Sequence, residues 1–211
     1  PQLLMLSGLG PEAHLREHGI TPVHALPGVG KNLQDHLQAR PVFKCTASTI
    51  NIETNSVVKK ALIGAKYVFT RSGPMAMAAS LGAGFLKSHP NLEQPDIQFH
   101  VQPFSKSSMA NPDPDSFSAF TASVLQLRPE STGELLLKSA SSMDYPAIHP
   151  NYLATRTDQD TIVAGVRMAR QIARTEPLKD LITAEHAPGP ELPDEDYDGL
   201  LNWARNTSTT I

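Results

Sequence analysis

A single cysteine, Cys45, stands in 211 residues. It excludes an intrachain disulfide and any zinc site built on cysteines. That usage suits a reducing compartment, so the cytoplasm is the expected location, on weak constraint. Long hydrophobic runs are missing too: the uncharged stretch 75–86 is far short of a membrane span. No signal peptide is visible, and nothing read at this level indicates membrane association. The formal net charge is −3, and Lys59-Lys60 is the only adjacent basic pair, so nucleic acid is not an expected partner. The eight histidines show no spacing that joins two of them to a third ligand, so no metal is expected. His14 and His18, four apart, offer at most a two-point surface site.

Proline is plentiful. Its 18 copies imply many fixed connections and few very long helices. Pro11 and Gly19 bracket a short helix over 12–18, and Leu26-Pro27-Gly28-Val29-Gly30 forces a loop. Residues 37–45 read as extended. Val58, Leu62, Ala65 and Phe69 recur at helical spacing and predict a one-faced helix over 56–70. Stretches 81–87, 96–102, 117–127 and 134–138 read as strands between Pro, Asn, Asp and Gly punctuation. Within 96–102 the alternation places Gln98, His100 and Gln102 on one face and Ile97, Phe99 and Val101 on the other. Thr157 or Asp158 can cap a helix reaching about Arg174, with a stripe of Ile162, Val166, Ala169 and Ala173. Pro177 opens a short helix, and Asp194 can cap another over 195–205, with Leu200, Leu201 and Trp203 available for burial. The predicted class is α+β, an antiparallel sheet with helices packed on one face.

Three stretches invite chemistry. Gly28-Val29-Gly30-Lys31-Asn32 looks like a phosphate loop, but Leu33 stands where a dinucleotide fingerprint needs Gly. It also lacks the first Gly and the final hydroxyl of a P-loop; a structural turn is the simpler reading. Ala78-Ala79-Ser80-Leu81-Gly82 is a degenerate nucleophile elbow, with Asp158 and His186 as conceivable partners of Ser80. The element after Ser80 reads as a strand, however, whereas a hydrolase elbow leads into a helix. His100, between Gln98 and Gln102, either meets water or lines a polar pocket. Asn32-Leu33-Gln34-Asp35-His36 is either a capping turn or a loop pinned beside a cofactor. A non-catalytic binding or interaction module is the alternative to an enzyme.

Several motifs together carry more. Pro1-Gln2-Leu3-Leu4-Met5-Leu6-Ser7-Gly8-Leu9-Gly10 resembles the second signature of the GMC (glucose-methanol-choline) flavin oxidoreductases, with Leu9 for the usual Ile. Pro27-Gly28-Val29-Gly30-Lys31-Asn32-Leu33-Gln34-Asp35-His36 is similar to another segment of that family. Leu127-Arg128-Pro129-Glu130-Ser131-Thr132-Gly133 resembles its Arg-Pro-x-Ser-x-Gly turn. Pro150-Asn151-Tyr152-Leu153 followed by Gly165-Val166-Arg167-Met168-Ala169-Arg170 resembles the approach to its long helix.

The resemblance implies a substrate-binding portion of an FAD-dependent alcohol oxidoreductase, which passes hydride from a primary alcohol to flavin and gives an aldehyde. It divides the chain into a remnant of the FAD domain and linker (1–38), a substrate-binding domain (39–206) and a lead-in to the catalytic segment (207–211). The catalytic His is expected after Ile211, with none in this chain. The chain by itself is expected to be inactive and to bind no FAD, its partners being the remainder of its own FAD domain and a small-molecule alcohol. Ser7, Gly8, Asn32, Asp35 and His36 are the expected cofactor-proximal residues. Leu81, His100 and Gln102 are the expected pocket lining. Choline-oxidising relatives commonly carry Glu where Leu81 stands, and a quaternary ammonium wants a carboxylate or an aromatic cage. A neutral primary alcohol, aliphatic or polyether-like, is therefore expected. The electron acceptor (oxygen, a quinone or another carrier) and the oligomeric state stay open, and apolar surface is expected around Leu3, Leu4 and Leu6.

Overall fold

The computed structural model describes residues 1–107 and 113–210; Ile211, the last residue of the expected lead-in, lies outside them. In chain order the elements begin α1 (Gln2–Leu6), β1 (Leu9–Gly10), α2 (Glu12–Glu17), β2 (His24–Ala25), β3 (Leu37–Ala39), β4 (Val42–Cys45), α3 (Ile50–Glu53) and α4 (Val57–Thr70). After a 3-10 turn at Pro74–Ala76 come β5 (Gly82–Leu86), β6 (Ile97–Gln102), β7 (Ala119–Gln126), β8 (Glu134–Leu136) and β9 (Ala147–His149). The chain continues with α5 (Arg156–Ala173), α6 (Leu178–Leu181), β10 (Ile182–Ala187), α7 (Tyr197–Thr207) and β11 (Thr209–Thr210). Two compact units result: Pro1–His36 with Arg128–Gln159, and Leu37–Leu127 with Asp160–Ile211. The return of 128–159 to the N-terminal stretch is a long-range pairing that a contiguous reading of the chain does not show.

The first unit packs Met5, Leu15 and Leu137 into a small core, with Leu6, Ile20, Val29 and Leu135 against it. Leu3 and Leu4 stay exposed, so the expected apolar surface is there for two of its three residues. Gly8 is obligatory. Its φ is +81°, and a Cβ would meet Thr21 O and a Val23 methyl at 2.8 Å, while its carbonyl accepts from Val23 N–H at 2.8 Å. His14 and His18 make an edge-on ring pair, and His14 Nε2 accepts from Leu137 N–H at 2.9 Å. The first turn of α5 is organised by Thr155, whose Oγ1 accepts from Asp158 N–H. Asp158, expected as the cap itself, instead accepts from Glu130 N–H (2.9 Å) and Ser131 N–H (2.7 Å). Burial opposes its charge, but those bonds and the Ser131 hydroxyl outweigh it and hold the carboxyl below its ordinary range.

The second unit is built on a seven-stranded antiparallel sheet. Strand β7 is its spine. It pairs with β6 along one edge, and along the other with β4 near its start and β3 near its end. β5 extends the β6 side, while β10 and β11 extend β4 and β3. Register places Ile97, Phe99, Val124, Ala122, Phe43 and Phe120 on one face, and α5 lies on it with Ile162, Val163, Val166 and Ala169 buried. Approach is closest at Gly165, where a Cβ would come within 2.3 Å of a Val124 methyl; no other residue permits that contact. The α+β architecture with a helix-covered sheet face is therefore present.

Two differences from expectation concern the end of the chain. Strand β10 is unannounced in the sequence because Thr183-Ala184-Glu185-His186 carries no apolar alternation, and its pairing with β4 is interrupted twice. Helix α7 is capped by Asp196, whose carboxylate accepts from Gly199 N–H at 2.8 Å, and not by Asp194. Asp194 is taken by Arg170 and Arg174, at 2.7 and 3.1 Å. Arg170 is buried. It also reaches both carboxylate oxygens of Glu185 (2.9 and 3.1 Å) and the carbonyls of Gly189 and Leu192 (3.2 and 2.7 Å).

Arg170→Ala should cost about 3–5 kcal/mol in urea unfolding, because it strands the Glu185 carboxylate and two carbonyls and leaves Asp194 to Arg174. Arg170→Lys should recover only part, since one ammonium cannot span the fork. Asp158→Asn should cost about 1–3 kcal/mol at neutral pH. With the folded carboxyl depressed, this contribution is complete above the unfolded value and disappears as pH falls through the folded one. Wild type and variant should therefore converge below about pH 4 in urea titrations.

Candidate functional site

Alternation decides which side chains of the large sheet meet the helix and which are left for chemistry. On the face away from α5, register forms three cross-strand rows. Phe85, Gln98, Leu125 and Gln38 make the first, Ala83, His100 and Ser123 the second, and Gln102, Thr121 and Val42 the third. This face is polar at its centre. Ser123 Oγ donates to Gln102 Oε1 at 3.0 Å, and the Thr121 hydroxyl donates to Phe104 O at 2.7 Å. His100 is half-buried, and its Nε2 is fully enclosed without a hydrogen-bond partner. A buried imidazole nitrogen in that state is a costly vacancy for a donor or acceptor.

Beside these rows opens a cavity of about 750 Å³, lined by Arg40, Gln102, Lys106, Thr121, His186 and Trp203 among others. Two permanent cations border it, and among the described residues no carboxylate lines it. Burial alone pulls the Arg40 guanidinium down from its ordinary value, and its Nε–H donates to Gln38 Oε1 at 2.9 Å. His186 stands edge-on to the Phe117 ring at 4.7 Å. It neighbours Glu185, which Arg170 holds at the helix side, and a β-bulge between Glu185 and Ala187 lets His186 and Ala187 both face the cavity.

Of the expected pocket residues, Gln102 lines this cavity and His100 stands one register row away on the same face. Leu81 precedes β5 and is exposed; its N–H donates to Val101 O at 2.9 Å. Sequence reasoning missed Arg40, Lys106, His186 and Trp203 as cavity residues. For His186 the signal was hidden with β10, and Lys106 sits in an irregular stretch with no periodicity to read.

The cofactor-proximal candidates belong to the first unit. Ser7 closes α1, its hydroxyl donating to Leu3 O at 2.9 Å, and Gly8 makes the close turn described above. The Asn-Leu-Gln-Asp-His segment is stitched to the Arg-Pro-Glu-Ser-Thr-Gly turn. Leu33 and Gly133 exchange backbone hydrogen bonds at 3.0 and 2.8 Å, and Gln34 Nε2 donates to Pro129 O at 2.8 Å. Asp35 accepts from the Tyr152 hydroxyl, and His36 is half-buried. Asn32, in the left-handed region at φ 57°, borders an open depression of about 630 Å³ with Lys31, Gly133, Glu134, His149 and Asn151. Lys31 and Glu134 form an ion pair across it.

The hydrolase arrangement is not assembled. Ser80 lies in coil leading into strand β5 rather than on a strand-to-helix turn. Asp158 serves backbone N–H groups, and His186 packs on Phe117. Among the described residues no group of three His, Cys, Asp or Glu could hold a metal ion.

The chain is similar to known proteins. Residues 129–210 match the family model described as GMC oxidoreductase. An alcohol dehydrogenase (acceptor) of Pseudomonas putida is 38% identical over 197 residues, which cover 93% of this chain and 36% of that protein. Mitochondrial choline dehydrogenase of Mus musculus is 38% identical over 202 residues, covering 95% and 34%. A solved structure of formate oxidase from Aspergillus oryzae RIB40, concerned with FAD modification, matches with a TM-score of 0.87. It is 25% identical, over 100% of this chain and 41% of its own. The chain thus spans about a third of the length of the curated relatives it matches. With sequence, family model and fold in agreement, the chain belongs to the GMC oxidoreductase family.

Proposed function

We propose that this chain forms the substrate-facing part of an FAD-dependent alcohol oxidoreductase that converts a primary alcohol to an aldehyde. The observation that carries the reading is the polar sheet face, whose Gln102 and Thr121 line a cavity of about 750 Å³. The division of labour would give the face of the large sheet to substrate. The Ser7-Gly8 turn and the Asn32, Asp35, His36 segment would lie toward the flavin.

The chain contains no Gly-x-Gly-x-x-Gly, so the dinucleotide would be held principally by other parts of the polypeptide. When bound, FAD supplies the hydride-accepting ring. The chain's own residues do the rest. Gln102, steadied by Ser123, offers a hydrogen bond to the substrate hydroxyl, and the apolar bodies of Phe104 and Trp203 exclude water around the reacting carbon. His100, one register row away with its Nε2 enclosed, would back Gln102 rather than touch the substrate. The proton of the hydroxyl would leave to a His beyond this chain. The positive charge of Arg40 and Lys106 at the cavity repels a quaternary ammonium and favours a neutral alcohol.

The test is the full-length protein. It should be yellow, carry flavin absorbance and reduce an artificial acceptor with primary alcohols, with higher kcat/KM on 1-octanol than on choline. Gln102→Ala should keep its flavin yet lose about tenfold or more in kcat/KM, the worth of one buried hydrogen bond. A colourless full-length protein would sink the proposal; an unimpaired Gln102→Ala would remove the sheet face from it.

A further inference from the structure

Helix α4 has its apolar side turned outward. At about 100° per residue, Val57, Val58, Leu62, Val68 and Phe69, with the alanines between them, fill one continuous sector of about 140°. All five are exposed, Val57 at 83% and Phe69 at 85%, and α4 buries no residue at all. Its inward side is the opposite one, where Ile63, Gly64 and Tyr67 are half-buried. The 3-10 turn that contacts α4 adds exposed Met75 and Met77.

Cations border this sector on both sides. Lys59 and Lys66 follow Leu62 around the helix, and Lys60 and Arg71 precede Val57. No acidic residue occurs anywhere between Glu53 and Glu93, a stretch holding Lys59, Lys60, Lys66, Arg71 and Lys87. The basic groups make only light contacts. Lys59 Nζ donates to Ile52 O at 2.9 Å, Lys60 lies 4.0 Å from Asp113, and Arg71 sits over the Tyr67 ring.

We propose that α4 is an interfacial anchor that lies on an anionic lipid bilayer, its apolar sector among the acyl chains and its cations at the headgroups. Charge selects this occupant. Lysine is depleted where protein meets protein. At a bilayer surface, lysine and arginine at the polar–apolar boundary extend their charges to phosphate while their stems stay in the apolar layer. At 14 residues α4 is too short to span, and no described helix is long and apolar enough to cross a membrane. The mode is therefore attachment. Net charge and span length report nothing about such a helix, which is why neither signalled it.

The experiment is flotation of the full-length protein with vesicles of pure phosphatidylcholine and of equimolar phosphatidylcholine and phosphatidylglycerol. Binding should require the anionic lipid and weaken with added salt. Lys60→Glu and Lys66→Glu should each weaken it by about fivefold. Leu62→Asp with Phe69→Asp should abolish it while Tm, oligomer size and flavin content stay unchanged. Absence of binding to anionic vesicles, or binding that these variants leave intact, would overturn the proposal. So would a fall in Tm or a change of oligomer size in Leu62→Asp with Phe69→Asp, which would mean that the sector is covered by protein, whether a second copy or another part of the polypeptide.

Discussion

The buried guanidinium of Arg170 is the interaction on which the second unit's usable surface depends. A cation at that depth is tolerated only with its donors satisfied and its charge matched. Glu185, Asp194 and two carbonyls meet the demand. Those partners lie on β10 and on the loop that follows it, so one residue of α5 ties the helix to the outer strand on the β4 side. Just beyond Glu185 a β-bulge breaks the alternation, and His186 and Ala187 both line the cavity. The strand that Arg170 anchors is also the strand that carries His186 to the cavity.

The same logic runs through β7. Its residues Ala122 and Val124 receive α5, down to the contact that only Gly165 permits, while Thr121 and Ser123 face the cavity side. Burial of the apolar row supplies the stability, and the polar row inherits a rigid backing. That is the physical condition for a binding site whose groups hold their geometry. In the first unit, Asp158 plays a comparable part by pinning the turn at Glu130 and Ser131.

Legibility in the sequence followed local signal. The alternation in 96–102 was plain, and it correctly separated Gln98, His100 and Gln102 from Ile97, Phe99 and Val101. Helix α4 was legible as a helix, with Ser56 accepting from Lys59 N–H as its cap, but its apolar stripe pointed out rather than in. Periodicity reports that a face is apolar and is silent on what covers it. Strand β10 carried no pattern, because a strand paired along one edge and held by charge has no need of one. Asp194 and Asp196 are equally good caps by composition; the demands of Arg170 and Arg174 removed the first.

By itself the sequence determined the elements with strong periodicity, the α+β class, the family and the polar face of β6. These depend on neighbours a few residues apart, where spacing maps directly onto geometry. Only the tertiary structure decided that 128–159 returns to the N-terminal stretch and that His186 and Lys106 border the cavity with Gln102. It also decided that His100 Nε2 is enclosed without a partner and that α4 turns its apolar sector outward. Each of those is a matter of which distant residue arrives at a surface, a long-range outcome of packing and charge compensation that no local pattern encodes.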